Sequence, residues 1–136
     1  MYSILLVDDE PDVSTAWSLI LESEGYDVRC AHNGRAALAS LAEHLPHLVI
    51  TDWTMPVMGG AELCRQMRLQ PRLASLPIVV HSSVHALPDD ALWNAFLRKP
   101  CSLELFLTTA RQLCEDEQNA RRIRLQLINS KRRQGG

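Results

Sequence analysis

Short apolar runs alternate with amphipathic stretches along most of the chain. Ser3–Val7 (SILLV), Asp27–Ala31 (DVRCA), Leu48–Thr51 (LVIT), 78–81 (IVVH) and 96–97 predict strands, and three of these are too continuously apolar for a sheet with one face in water. Between the first two, Val13, Ala16, Trp17, Ile20 and Leu21 recur at helical spacing and Gly25 follows as a stop signal. Ala37, Leu38, Leu41, Ala42 and Leu45 repeat the pattern between Gly34 and Pro46. A third helix is expected over 61–69, after Gly59-Gly60 and before Pro71.

This βα alternation predicts a parallel sheet with helices on both faces, because right-handed crossovers place them there. Five βα units are expected. In such a sheet ligands bind beyond the carboxyl ends of the strands. The rim there is chemically loaded: strand one ends in Asp8-Asp9-Glu10, strand three runs into Asp52, strand four ends in Ser82-Ser83, and strand five is followed by Lys99-Pro100. Loops are polar anyway, but acid, acid, hydroxyl and amine at four strand ends exceed what that accounts for.

Length and composition narrow the class. The chain has 136 residues, the size of one domain, with 46% hydrophobic and 22% charged residues. It lacks an apolar run long enough to span a membrane, and MYSILLVDDE lacks the basic start of a signal peptide, so a cytoplasmic protein without a membrane partner is expected. The four cysteines, 34, 37 and 13 positions apart with no CxxC pair, are expected to be reduced and mostly buried. The five histidines have no metal-ligand spacing. Net charge is −2, but residues 1–110 hold 13 acids and 7 bases while 111–136 hold 3 acids and 7 bases. The body is acidic and the tail basic.

Three carboxylates at one rim repel one another and call for a cation, and Mg²⁺ with oxygen ligands fits. Asp52 would then serve as a carboxylate nucleophile toward phosphorus, with Lys99 and Ser82 binding the incoming phosphoryl group. Neither a P-loop nor GxGxxG occurs, so the phosphate is expected to come from another molecule.

LLVDDEPD, LVITDWTMPVMGG, LPIVVHSS and FLRKP, in this order and with 43 positions from Asp9 to Asp52 and 30 from Asp52 to Ser82, resemble the receiver domain of two-component response regulators. The resemblance covers about residues 1–113. It implies a doubly wound, flavodoxin-like (βα)5 sheet with strand order 2-1-3-4-5. It further implies that Asp52 accepts a phosphoryl group from a histidine kinase or histidine phosphotransfer protein. Asp8, Asp9, Asp52 and the Trp53 backbone carbonyl would hold Mg²⁺. Ser82 takes the place of the family's switch hydroxyl, Lys99 of its phosphate-binding lysine and Phe96 of its rotating aromatic, with Thr54 and Pro100 in support. The Lys99-Pro100 bond is expected to be cis.

Two departures matter. Ser82 and Lys99 are only 17 positions apart, about five fewer than the family commonly shows, so the helix between strands four and five must be shortened or irregular. At most two turns starting near Asp89 are expected, with Leu92 and Trp93 packing inward. The family's usual dimer face is thereby put in doubt, leaving a weak homodimer possible. Residues 114–136 are expected to form a basic helical extension or linker, either dimerising or loosely solvated, too short for a DNA-binding output domain. Output is therefore expected through a downstream protein target, or through service as an intermediate in a phosphorelay, without sequence-specific DNA binding. Two alternatives remain at this point: a phosphorylation-independent pseudo-receiver, and an aspartate-nucleophile phosphatase, for which Asp-x-Thr after an apolar strand also fits.

Overall fold

The computed structural model describes residues 1–90 and 92–135. Five strands, β1 (Ser3–Val7), β2 (Asp27–Ala31), β3 (Leu48–Thr51), β4 (Ile78–Ser82) and β5 (Ala95–Arg98), form one sheet in the order β2-β1-β3-β4-β5. All pairings are parallel, as the expected flavodoxin-like topology requires. Four helices accompany it among the described residues: α1 (Pro11–Ser23), α2 (Gly34–Glu43), α3 (Gly60–Leu69) and α4 (Leu103–Gly135).

Alternation along the strands divides the core. Leu5, Val7, Val49 and Ile78 point to the face covered by Ala37 and Leu41 of α2 and Leu63 and Met67 of α3. Ile4, Leu6, Leu48, Ile50 and Val79 point to the other, where Leu21 of α1 and Phe106, Ala110 and Cys114 of α4 meet them. Fully burying each such side chain contributes about 1.5–3 kcal/mol, which is why the central strands carry no polar face. Caps set the helix starts: Pro11 opens α1, Asn33 Oδ1 accepts from Ala36 N–H at 2.8 Å, and Ser102 Oγ accepts from Leu105 N–H at 3.0 Å.

The short helix expected near Asp89 is absent among the described residues. Only residues 83–94 lie between β4 and β5, and they must return from the carboxyl to the amino edge of the sheet. Two helical turns would consume about seven of them. The chain instead spends its return on a pinned, irregular segment: Asn94 N–H donates to Ile78 O at 2.8 Å and Asn94 Oδ1 accepts from Ile78 N–H at 2.8 Å. Leu92 and Trp93 do pack inward, against the α2–α3 side of the core.

Helix α4 runs unbroken to Gly135. Within it, Glu117 is buried and paired with Arg121 at 2.8 Å and Arg124 at 3.3 Å. Arg121 also donates to Pro46 O, and Gln118 Oε1 lies 2.9 Å from His47 Nε2. These contacts fasten α4 to the α2–β3 connection, and every residue from 122 to 135 is exposed. None of the described helices is long and apolar enough to cross a membrane. The cysteines are all free, but only Cys64 and Cys114 are buried; Cys30 is exposed and Cys101 half-buried.

Candidate functional site

The carboxyl ends of β1, β3, β4 and β5 bring the expected rim residues together. Asp8 follows β1 directly and Asp52 follows β3, and the two strands pair in register up to Val7 and Thr51, so their carboxylates emerge side by side. Asp9 joins them: carboxylate oxygens of Asp8, Asp9 and Asp52 all lie within 4.8 Å of one another. Asp8 and Asp52 are buried and Asp9 is half-buried.

Each buried carboxylate is held at both oxygens. Asp8 Oδ1 accepts from Glu10 N–H at 2.9 Å, and Asp52 Oδ1 accepts from Trp53 N–H at 2.7 Å. The remaining oxygens share one ammonium: Lys99 Nζ donates to Asp8 Oδ2 at 3.0 Å and to Asp52 Oδ2 at 3.2 Å. Burial pulls the Lys99 pKa down, but the Asp8 hydrogen bond and the charges of Asp52 and Asp8 outweigh it, so the value stands above that of an ordinary lysine. Three carboxylates and one ammonium leave a formal charge of −2. With its hard oxygen donors, that set suits a divalent ion such as Mg²⁺.

Ser82 is buried at the end of β4, and its carbonyl accepts from Lys99 N–H at 2.8 Å, which aligns the ends of β4 and β5. Phe96 lies on β5 opposite Val80 and is half-exposed, outside both core clusters. Thr54 and Pro100 are exposed, and the Lys99-Pro100 peptide is cis.

The loop from Trp53 to Gly59 approaches the site closely. A Cβ on Gly60 would stand 2.4 Å from Asp52 O, so only glycine lets α3 begin there. Gly60 N–H donates to Trp53 O at 2.8 Å. Met58 N–H donates to Pro56 O at 2.7 Å, closing a three-residue turn on Val57, whose φ of 69° is strained for a β-branched residue.

Two neighbours of the site are not evident from the motifs. His81 is buried between Trp17 and Phe106, with ring centroids 5.4 and 5.0 Å away. Burial, and secondarily the Lys99 charge, push its pKa down to about 4. Trp93 meets Trp53 edge to face, with centroids 5.5 Å apart. The shortened interval from Ser82 to Lys99 was the available sign that residues of this segment would come near the rim.

Residues 4–111 match the family model described as response regulator receiver domain. The chain is 40% identical over 77 residues to the phosphate regulon transcriptional regulatory protein PhoB of Rhizobium meliloti, covering 57% of this chain and 34% of that protein. It spans about half the length, or less, of several curated regulators that it matches. The signal receiver domain of a signal transduction histidine kinase from Syntrophus aciditrophicus superposes with a TM-score of 0.78 at 30% identity, covering 85% of this chain and 92% of that one. Response regulator TrrA of Thermotoga maritima, solved in complex with Mg²⁺-BeF, superposes with a TM-score of 0.76 at 26% identity, covering 83% of this chain and 99% of that one. With a family model spanning most of its length and the same parallel sheet as these structures, the chain belongs to the response regulator receiver domain family of two-component signalling.

Proposed function

We propose that Asp52 is the phosphoacceptor of a cytoplasmic, Mg²⁺-dependent signalling domain that takes its phosphoryl group from a histidine kinase or histidine phosphotransfer protein. The observation that carries this is the convergence of Lys99 on Asp8 and Asp52 from 91 and 47 positions away, with Asp9 in reach. In the transfer, an Asp52 carboxylate oxygen bonds to phosphorus as the donor's phosphorus–nitrogen bond breaks and its electron pair returns to the imidazole. Mg²⁺, held by Asp8, Asp9, Asp52 and the Trp53 carbonyl oxygen, would neutralise charge as two anions approach.

Trp53 N–H orients the Asp52 carboxylate. Lys99 is placed to pair with phosphoryl oxygens once they arrive, and Ser82 to donate a hydrogen bond to them. Phe96, half-exposed on β5, is the aromatic whose rotation would report the change, with Thr54 and Pro100 as supporting positions. The acids and the lysine of the site are all in place, which favours a working receiver over a pseudo-receiver. Output runs through a downstream protein target. The basic end of α4 supports only weak, salt-dependent contact with nucleic acid, not sequence-specific DNA binding. Residues 1–113 are proposed as the receiver proper and 114–136 as its basic helical extension.

Incubation with acetyl phosphate and Mg²⁺ tests the assignment: wild type should gain one acid-labile phosphate and Asp52→Asn none. Labelling of Asp52→Asn at the wild-type level would refute it, and sustained turnover of phosphate monoesters would point to a phosphatase.

A further inference from the structure

The segment joining β4 to β5 carries no helix in its described residues, yet its return is rigidly placed. On one side of Trp93, Leu92 O accepts from Arg68 Nε at 2.9 Å; on the other, Asn94 exchanges hydrogen bonds with Ile78 and accepts from Arg68 Nη2 at 3.2 Å. Trp93 is thus presented at a fixed position, packed against the α2–α3 side of the core. Its ring meets that of Trp53 at 79° with centroids 5.5 Å apart. The Trp53 peptide in turn works at the site, its N–H on Asp52 Oδ1 at 2.7 Å and its carbonyl turned to Gly60 N–H at 2.8 Å.

From this arrangement we infer that Trp93 is a positioning residue of the phosphorylation site: by bracing the Trp53 ring it holds the Trp53 peptide against Asp52 and couples loading of the acid cluster to the segment between β4 and β5. The inference rests on the receiver function proposed above. It adds a route distinct from Ser82 and Phe96, anchored on α3 through Arg68. An edge-to-face ring pair is directional, so a small shift of the Trp53 peptide is passed to its partner rather than absorbed. Linkage requires the converse: loosening Trp93 must change the affinity of the site.

The three tryptophans of the chain allow a direct test by ¹⁹F NMR of the 5-fluorotryptophan protein, with resonances assigned by single Trp→Phe variants. On titration with beryllofluoride in Mg²⁺, the Trp53 and Trp93 resonances should shift with a common midpoint. In Trp93→Leu the Trp53 resonance should still respond, at roughly three- to tenfold higher beryllofluoride. Trp93→Phe, which keeps a ring edge, should return the midpoint to within about twofold of wild type. A merely structural role would lower the melting temperature of Trp93→Leu and leave the midpoint of the folded protein unchanged. That unchanged midpoint, or a silent Trp93 beside a responsive Trp53, would overturn the inference while sparing the receiver assignment. A Trp53 that responds to neither Mg²⁺ nor beryllofluoride would overturn both.

Discussion

The Lys99 ammonium stands 3.2 Å from Asp52 Oδ2 and, through its other contact, ties Asp52 to Asp8. The three side chains are 20%, 11% and 5% exposed, so water does little to screen their charges. Lys99→Ala should leave two carboxylates facing each other without a counter-charge and lower stability by about 2–3 kcal/mol in the absence of Mg²⁺. Because the folded pKa of Lys99 is raised, the wild-type contribution is present through neutral pH and is lost only as pH rises through that value. Urea unfolding of the variant with and without Mg²⁺ checks this, with much of the loss recovered when Mg²⁺ is added; equal losses in both would show that the lysine does not act as the stand-in cation.

Asp9 is the half-buried member of the acid cluster, with no hydrogen bond among the described contacts. A carboxylate free of other partners is the one most available to a metal. Asp9→Ala should weaken Mg²⁺ binding by about tenfold or more, with little effect on folding. Titration of Mg²⁺ against the fluorescence of Trp53 provides the measurement, and an unchanged midpoint would remove Asp9 from the site.

His81 makes stability depend on pH. Burial holds its folded pKa at about 4, below the unfolded value of 6.5, so the neutral ring's contribution is present above 6.5 and drains away as pH falls toward 4. Between about pH 7.5 and 5 the expected loss is about 2 kcal/mol. His47 adds in the same direction: burial lowers its pKa, and its Nδ1 accepts from Ser3 N–H at 3.1 Å, a bond that a protonated ring cannot accept. His81→Phe, which keeps the aromatic contacts with Trp17 and Phe106, should make the profile shallower over this interval in denaturant titrations, leaving the His47 contribution.

Arg68 donates to the carbonyls of Leu73, Ala74, Leu76 and Leu92 and to Asn94 Oδ1, at 2.8–3.2 Å. One guanidinium therefore organises both the α3–β4 turn and the return before β5. Arg68→Ala should cost about 2–4 kcal/mol by orphaning half-buried carbonyls, and Arg68→Lys should recover little, since an ammonium cannot present a planar fork to five acceptors. Chemical denaturation of both variants decides; full recovery with lysine would mean that charge alone matters.

What was legible in the sequence is what repeats or what chemistry demands. Short apolar runs and period-3.6 patterns located five strands and the first three helices because burial on one or both faces fixes them. The acids, hydroxyl and lysine were recoverable because the strand ends of a parallel sheet converge on one rim. The Ser82–Lys99 interval correctly signalled an altered crossover, but the helix of at most two turns expected near Asp89 is absent among the described residues. There, local propensity yielded to the distance the chain must cover and to the Asn94–Ile78 pairing. Arg68 reads in the sequence as an ordinary basic residue at a helix end, and no motif marks Glu117. Their roles depend on partners 24 and 4 positions away, respectively, and on carbonyls that no side-chain pattern reveals.

Helix α4 is fastened to the body no further than Arg121, and residues 122–135 continue in the same helix with no cover. Those 14 residues extend about 21 Å. A continuous helix behaves as a stiff lever: a tilt of about 10° at its seat against β3 would sweep its tip through about 4 Å. Small rearrangements at that seat would in this way be magnified into displacements large enough for an attached or neighbouring molecule to register.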